Sequence, residues 1–221
     1  MLLQILTYTH HLTTMLFGIF LSAFFLGVKQ NKKNVCILLG GGAVSGLFFL
    51  ICNTVFGSLF TEAVYPIFVH LPLFLLLVFY YRFRWLPSII SIMTAYLCCQ
   101  FSNWAGIFAL SLSGLDWVYY LVRIIVTVAV FAFLSQYLCQ TTALLFAKSD
   151  RELYILGAMP FVYYVFDYST TKFSMLLYSG NKVVVEFLAF AMCISYVIFL
   201  FVYFQEYELK NRAEQYGQLT N

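Results

Sequence analysis

Residues 183–221 read VVVEFLAFAMCISYVIFLFVYFQEYELKNRAEQYGQLTN. The first part, Val183–Tyr203, is almost wholly apolar. It has the roughly 20 residues that a helix rising 1.5 Å per residue needs to cross ~30 Å of hydrocarbon. After Tyr203 the chain turns polar and helix-favouring, with no glycine or proline at the junction. One helix is therefore expected to leave the hydrocarbon and continue into water. Six further apolar runs precede it: Ile5–Val28, Val35–Phe56, Ala63–Tyr81, Leu86–Leu110, Val118–Cys139 and Leu153–Lys172. Strands are a poor alternative, because barrel strands alternate in short segments whereas these runs are continuously apolar.

Composition agrees. Of the 221 residues, 63% are hydrophobic and 10% charged, far from the balance of a water-soluble domain. The expected fold is all-α: a polytopic membrane helix bundle of about seven transmembrane helices, followed by a C-terminal cytoplasmic signalling helix. Residues 1–203 make the transmembrane bundle and 204–221 the start of the signalling helix.

The net charge of +3 says less than where the charges sit. Lys29, Lys32, Lys33, Arg82, Arg84, Lys148, Arg151, Lys210 and Arg212 fall in alternate connections, on one side of a seven-span chain. The positive-inside rule then places the carboxyl terminus in the cytoplasm and the amino terminus outside, in the cell membrane. The sixth run is the weakest span, since it carries Pro160 and Asp167. The first run is too long for a signal-peptide core and is followed by lysines, so a retained span is expected rather than a cleaved leader. Six cysteines lie in or beside the runs without a CxxC pair, which points to buried free thiols.

Charged groups inside a membrane are costly and are functional candidates by default. Asp167 lies about five residues, or ~8 Å along a helix, from the outer end of its run. Arg123 and Glu186 fall at similar depth in the fifth and seventh runs. The three could brace the bundle through an Arg123–Asp167 pair, form the floor of an outward-open ligand pocket, or relay a proton. Lys172, Lys182, Glu62 and Asp116 stand at the same ends, and Asn103 and Trp104 belong to a polar notch in the fourth run that can line a pocket. The tentative ligand-binding set is Asp167, Arg123, Lys172, Glu186, Asn103 and Trp104. His70 lies mid-span and is read as a satisfied bundle histidine. His10 and His11 are expected at the membrane interface. Gly42 and Gly46 make a GxxxG spacing, for packing within the bundle or in a dimer.

No nucleophile–base pair, HExxH, GxSxG or glycine-rich phosphate loop is present, so no catalytic role, cofactor, metal or nucleic-acid partner is expected. In the tail, Glu206 precedes Lys210 and Glu208 precedes Arg212 by four residues, the favourable helical order.

The exit segment IFLFVYFQEYELKNRAEQYGQL (198–219) resembles that of GHKL-type sensor histidine kinases, relatives of the Agr quorum-sensing receptor. YPIFVHLPLFLLLVFYYRFRW (65–85), TAYLCCQFSNWAG (94–106) and FVYYVFDYSTT (161–171) are similar to internal stretches of the same bacterial family. The resemblance implies the sensor region of a two-component receptor, a homodimer in membrane lipid that binds an extracellular peptide or small molecule. The family's kinase domains would follow Asn221, so any response regulator would be reached only through them, and no kinase residue is assigned here. The rival expectation is a small transporter or the substrate-binding membrane component of an uptake system. The unbroken exit helix and the lack of an internal repeat argue against it.

Overall fold

The computed structural model describes residues 2–57, 60–61, 64–167 and 182–219. Among these, 90% are helical, in eight helices, and none is in a strand. The helices are α1 Leu2–Phe25, α2 Lys32–Phe56, α3 Pro66–Tyr80, α4 Trp85–Ser113, α5 Asp116–Tyr137, α6 Cys139–Phe146, α7 Asp150–Asp167 and α8 Lys182–Leu219.

Four of them, α2, α4, α5 and the Phe187–Ala213 stretch of α8, are long and apolar enough to cross a membrane. The other expected spans differ for identifiable reasons. The first half of α1 is diluted by Thr7, Thr9, His10, His11, Thr13 and Thr14. The α3 segment is only 15 residues long and takes π-helical turns on both sides of Leu71–Leu75, next to Pro66 and Pro72. Asp150, Arg151 and Glu152 open α7 and Asp167 closes it.

The second half of α1 is the centre of the bundle. Phe17, Ile19, Leu21, Ser22, Ala23, Phe24 and Phe25 are all buried and between them surround that helix. It packs against α2, α4, α5 and α6. Small polar residues let α4 come close: Ser91 donates its hydroxyl to the Ser22 carbonyl of α1 at 2.5 Å. In lipid such contacts hold helices together, because apolar side chains gain little by leaving one hydrocarbon for another. Gly42 and Gly46 of α2 face Met15, Leu16 and Ile19 of α1, so the GxxxG spacing serves packing within the chain. Gly27 ends α1 at φ +86° and lies 3.4 Å, measured from an added Cβ, from Ala143 of α6. A side chain there would be both strained and crowded.

One expected boundary is corrected and one residue's surroundings are filled in. The fifth run was bounded at Cys139, but α5 ends at Tyr137 and a separate, largely buried α6 follows. His10, expected near the membrane interface, is packed inside the bundle: it is 3% exposed, with its ring against Tyr120 and His11 and its Nδ1 3.3 Å from Thr14 Oγ1.

The connections carrying most cations are tied together at one end of the bundle. Arg84 is ion-paired with Asp150 and donates to the Lys148 carbonyl at 3.0 Å. Tyr81 donates to Asn34 Oδ1 at 3.4 Å, joining the α3–α4 turn to the first turn of α2. We refer to this as the basic end. No helix boundary occurs at Tyr203, since α8 runs through it without interruption.

Candidate functional site

Away from the basic end, α3, α4 and α7 bring one charged and several aromatic polar groups together. Asp167, the last residue of α7, accepts a 2.5 Å hydrogen bond on Oδ2 from the Tyr96 hydroxyl of α4. One turn earlier on α7, the Tyr164 hydroxyl lies 2.8 Å from His70 Nδ1 of α3. The His70 ring packs against Tyr65, Tyr96 and Tyr164, and Tyr96 also meets Tyr163. His70 is thus a bundle histidine with a hydroxyl partner. Polar groups removed from water need such partners, and here each aromatic ring also supplies apolar area.

Arg123 lies elsewhere, on α5 where that helix meets Gly106 of α4. Its Nη1 donates to the Tyr119 hydroxyl one turn earlier at 2.5 Å, and its carbonyl accepts from Thr127. Its stem crosses Gly106 so closely that an added Cβ would stand 2.3 Å from Cγ. The Arg123 Nε is buried without a hydrogen-bond partner among the described residues. The expected Arg123–Asp167 pair is therefore not formed; each is held by a tyrosine instead. Asn103 donates to Gln100 Oε1 at 3.2 Å on α4. Trp104 stacks on Phe190 of α8, with centroids 4.5 Å apart and planes 12° apart, so it packs against a helix instead of lining a polar wall. Lys172 lies outside the described residues, as does the side chain of Glu186, whose backbone belongs to the first turns of α8.

The Gly106 contact makes a direct prediction. Gly106→Ala is expected to push the Arg123 stem aside, break its hydrogen bond to Tyr119 and lower stability by about 1–3 kcal/mol, the usual range for overpacking. Adding Arg123→Ala to that variant should recover most of the loss in a thermal melt of the reconstituted protein.

Two features that the sequence reading did not single out connect this cluster to α8. In mid-bundle, Tyr196 of α8 donates its hydroxyl to the Leu156 carbonyl of α7 at 2.9 Å. At the basic end, Lys148 lies 3.5 Å above the Tyr207 ring and 4.8 Å above the Tyr203 ring of α8. Lys148 also pairs with Glu152 at 3.5 Å, and Glu152 accepts a hydrogen bond from Tyr203 at 3.4 Å. Further along, Arg212 pairs with Glu208 at 3.4 Å, while Glu206 and Lys210 are exposed.

The molecule is, in class, an all-α protein with four helices able to span a membrane. No family model, curated protein or solved structure matches this chain.

Proposed function

We propose that the chain is the membrane sensor region of a two-component receptor, of the kind that GHKL-type histidine kinases carry. It crosses the membrane seven times, with its amino terminus outside and its carboxyl terminus in the cytoplasm. The grouping of Lys29, Lys32, Lys33, Arg82, Arg84, Lys148 and Arg151 around connections at the basic end supports this orientation. An extracellular peptide or small molecule binds at the outer face, near Asp167 and Tyr96, and the last helix relays the event within a homodimer.

One observation carries the reading: α7 is fastened at both ends. Its far end holds Asp167 against Tyr96, and the opposite end holds Glu152 against Tyr203, where α8 leaves the apolar region. The 18 residues between span about 27 Å at 1.5 Å per residue. A ligand that competes for Asp167 or Tyr96 would favour one seating of α7 over another. Only such a difference in affinity between two arrangements can shift a population. The change reaches the helix of Glu206, Glu208, Lys210 and Arg212 through the Tyr196 hydrogen bond to the Leu156 carbonyl, with the Glu152–Tyr203 and Lys148–Tyr207 contacts adding to it at the basic end.

The test uses the full chain in nanodiscs with a spin label at Leu209→Cys, an exposed position, in a Cys36→Ser background. Distances between labels in the two protomers are read by pulsed electron resonance. Asp167→Asn is expected to alter the distribution without any ligand, and to abolish the shift caused by the peptide fraction of spent culture medium. An identical distribution in wild type and variant, with and without that fraction, sinks the proposal.

A further inference from the structure

The basic end carries more positive charge than its own carboxylates meet. Asp150 is taken by Arg84 and Glu152 by Lys148. Lys29 on the α1–α2 loop, Lys32 and Lys33 in the first turn of α2 and Arg82 on the α3–α4 turn remain exposed, with no ion pair among the described residues. They are also held together. Tyr81, next to Arg82, donates to Asn34, next to Lys33, and Asn34 Nδ2 donates to the Lys29 carbonyl at 2.9 Å. Asn34 N closes the loop onto Asn31 Oδ1 at 2.8 Å.

Local structure does not favour these charges. Lys32 and Lys33 open α2, whose first turn carries no acidic residue. A positive charge at a helix amino terminus is opposed by the helix dipole. Arg82 stands at φ 59°, a left-handed conformation that a residue with a Cβ adopts at a cost. The gathered charge is thus maintained against local preference, as expected if an anion offsets it.

The surface beside the patch narrows the identity of that anion. Phe79 is 73% exposed, Trp85 57% and Tyr80 49%, next to Arg82 in sequence, and Leu39 is exposed about two turns along α2 from Lys32. A soluble phosphate or acidic peptide would leave this apolar rim uncovered. A phospholipid would cover it with acyl chain while its headgroup meets the cations. The geometry points to a headgroup seat for anionic phospholipid at Lys29, Lys32, Lys33 and Arg82, formed where the α1–α2 loop and the first turn of α2 meet the α3–α4 turn. The seat lies at the opposite end of the bundle from Asp167 and is independent of the sensor reading.

The full chain is exchanged into mixed micelles holding equal phosphatidylglycerol and phosphatidylcholine, and the lipid it retains is measured by native mass spectrometry. Wild type is expected to retain phosphatidylglycerol preferentially. Each cation lost should weaken retention about fivefold, so Lys32→Gln/Lys33→Gln/Arg82→Gln should lose the preference by on the order of 100-fold. Should the triple variant lose its thermal transition, Arg82→Gln alone carries the test through its fivefold step. Lys210→Gln/Arg212→Gln, on the exposed tail, should retain lipid like wild type. The proposal is overturned by undiminished preference in the triple and single variants, or by an equal loss in the tail variant. Displacement of the lipid by inorganic phosphate as effectively as by competing phosphatidylglycerol also overturns it, because the seat would then be one for a soluble anion.

Discussion

Gly157→Val is expected to lower the stability of the reconstituted protein by about 3 kcal/mol, the top of the usual overpacking range. Gly157 lies on α7 where that helix crosses α4, and a Cβ added there would stand 2.6 Å from Cγ1 and 2.7 Å from Cδ1 of Ile90. Ile90 is 4% exposed and β-branched, so its side chain has few rotamers into which it can withdraw. Relief must come from moving α7 away from α4, which would also disturb the Asp167–Tyr96 contact further along the same pair of helices. Because the clash is with one side chain, it can be removed from the other side. Ile90→Ala alone should destabilise by leaving a cavity, about 2–5 kcal/mol. Combined with Gly157→Val it should cost less than the sum of the two, since the new methyls occupy the vacated space. Thermal melts of the four proteins in one lipid complete the cycle. Strict additivity, or full stability of Gly157→Val alone, would show that the two helices do not meet as closely as described.

How far the sequence discloses this arrangement depends on what lipid does to the pattern of side chains. The approximate positions of the helices along the chain are legible, because a helix that can span must be apolar for about 20 residues whatever its neighbours, and α2, α4, α5 and α8 meet that requirement. The loops holding Lys29–Lys33 and Arg82–Arg84 are legible for the same reason. Which helix faces which is not. In water an amphipathic stripe marks the buried face, but here the exposed side of α5, with Leu121, Ile125, Val128 and Phe133, is apolar as well. Arg123 and Asp167 have similar positions along their apolar runs, but the sequence does not disclose their directions around α5 and α7, and these lead to Tyr119 and Tyr96 instead of to each other. Small residues were better guides. Gly42 and Gly46 did mark a close approach, and Gly106 and Gly157 mark two more that no spacing motif announced. The centrality of α1 was hidden because its polar first half, with His10 and His11, resembles an interface segment. The role of Lys148 was hidden because a lysine in a basic loop is ordinarily accounted for by topology alone.

The contact with the clearest consequence for the proposed relay lies midway along α7. Pro160 has no N–H with which to meet the Leu156 carbonyl one turn earlier. The Tyr196 hydroxyl from α8 donates to it instead, at a site where Tyr196 is 1% exposed. Tyr196→Phe keeps the ring and removes the donor, leaving a buried carbonyl short of a partner. The expected loss is about 1–2 kcal/mol, within the range for an unmet buried group and near the upper end of that for hydrogen bonds inside membranes. Pro160→Ala restores an N–H to the helix, so the double variant should be more stable than Tyr196→Phe alone. The thermodynamic cycle should then show a coupling of about 1 kcal/mol. Function should divide differently from stability. Pro160→Ala/Tyr196→Phe has both helices satisfied but no hydrogen bond between them at this level, so α7 can shift without drawing α8 along. In the labelled chain, that variant should keep its melting temperature while losing much of the effect of Asp167→Asn on the Leu209→Cys distance. Were the effect transmitted at full size, the coupling would have to run through the Lys148–Tyr207 and Glu152–Tyr203 contacts at the basic end alone.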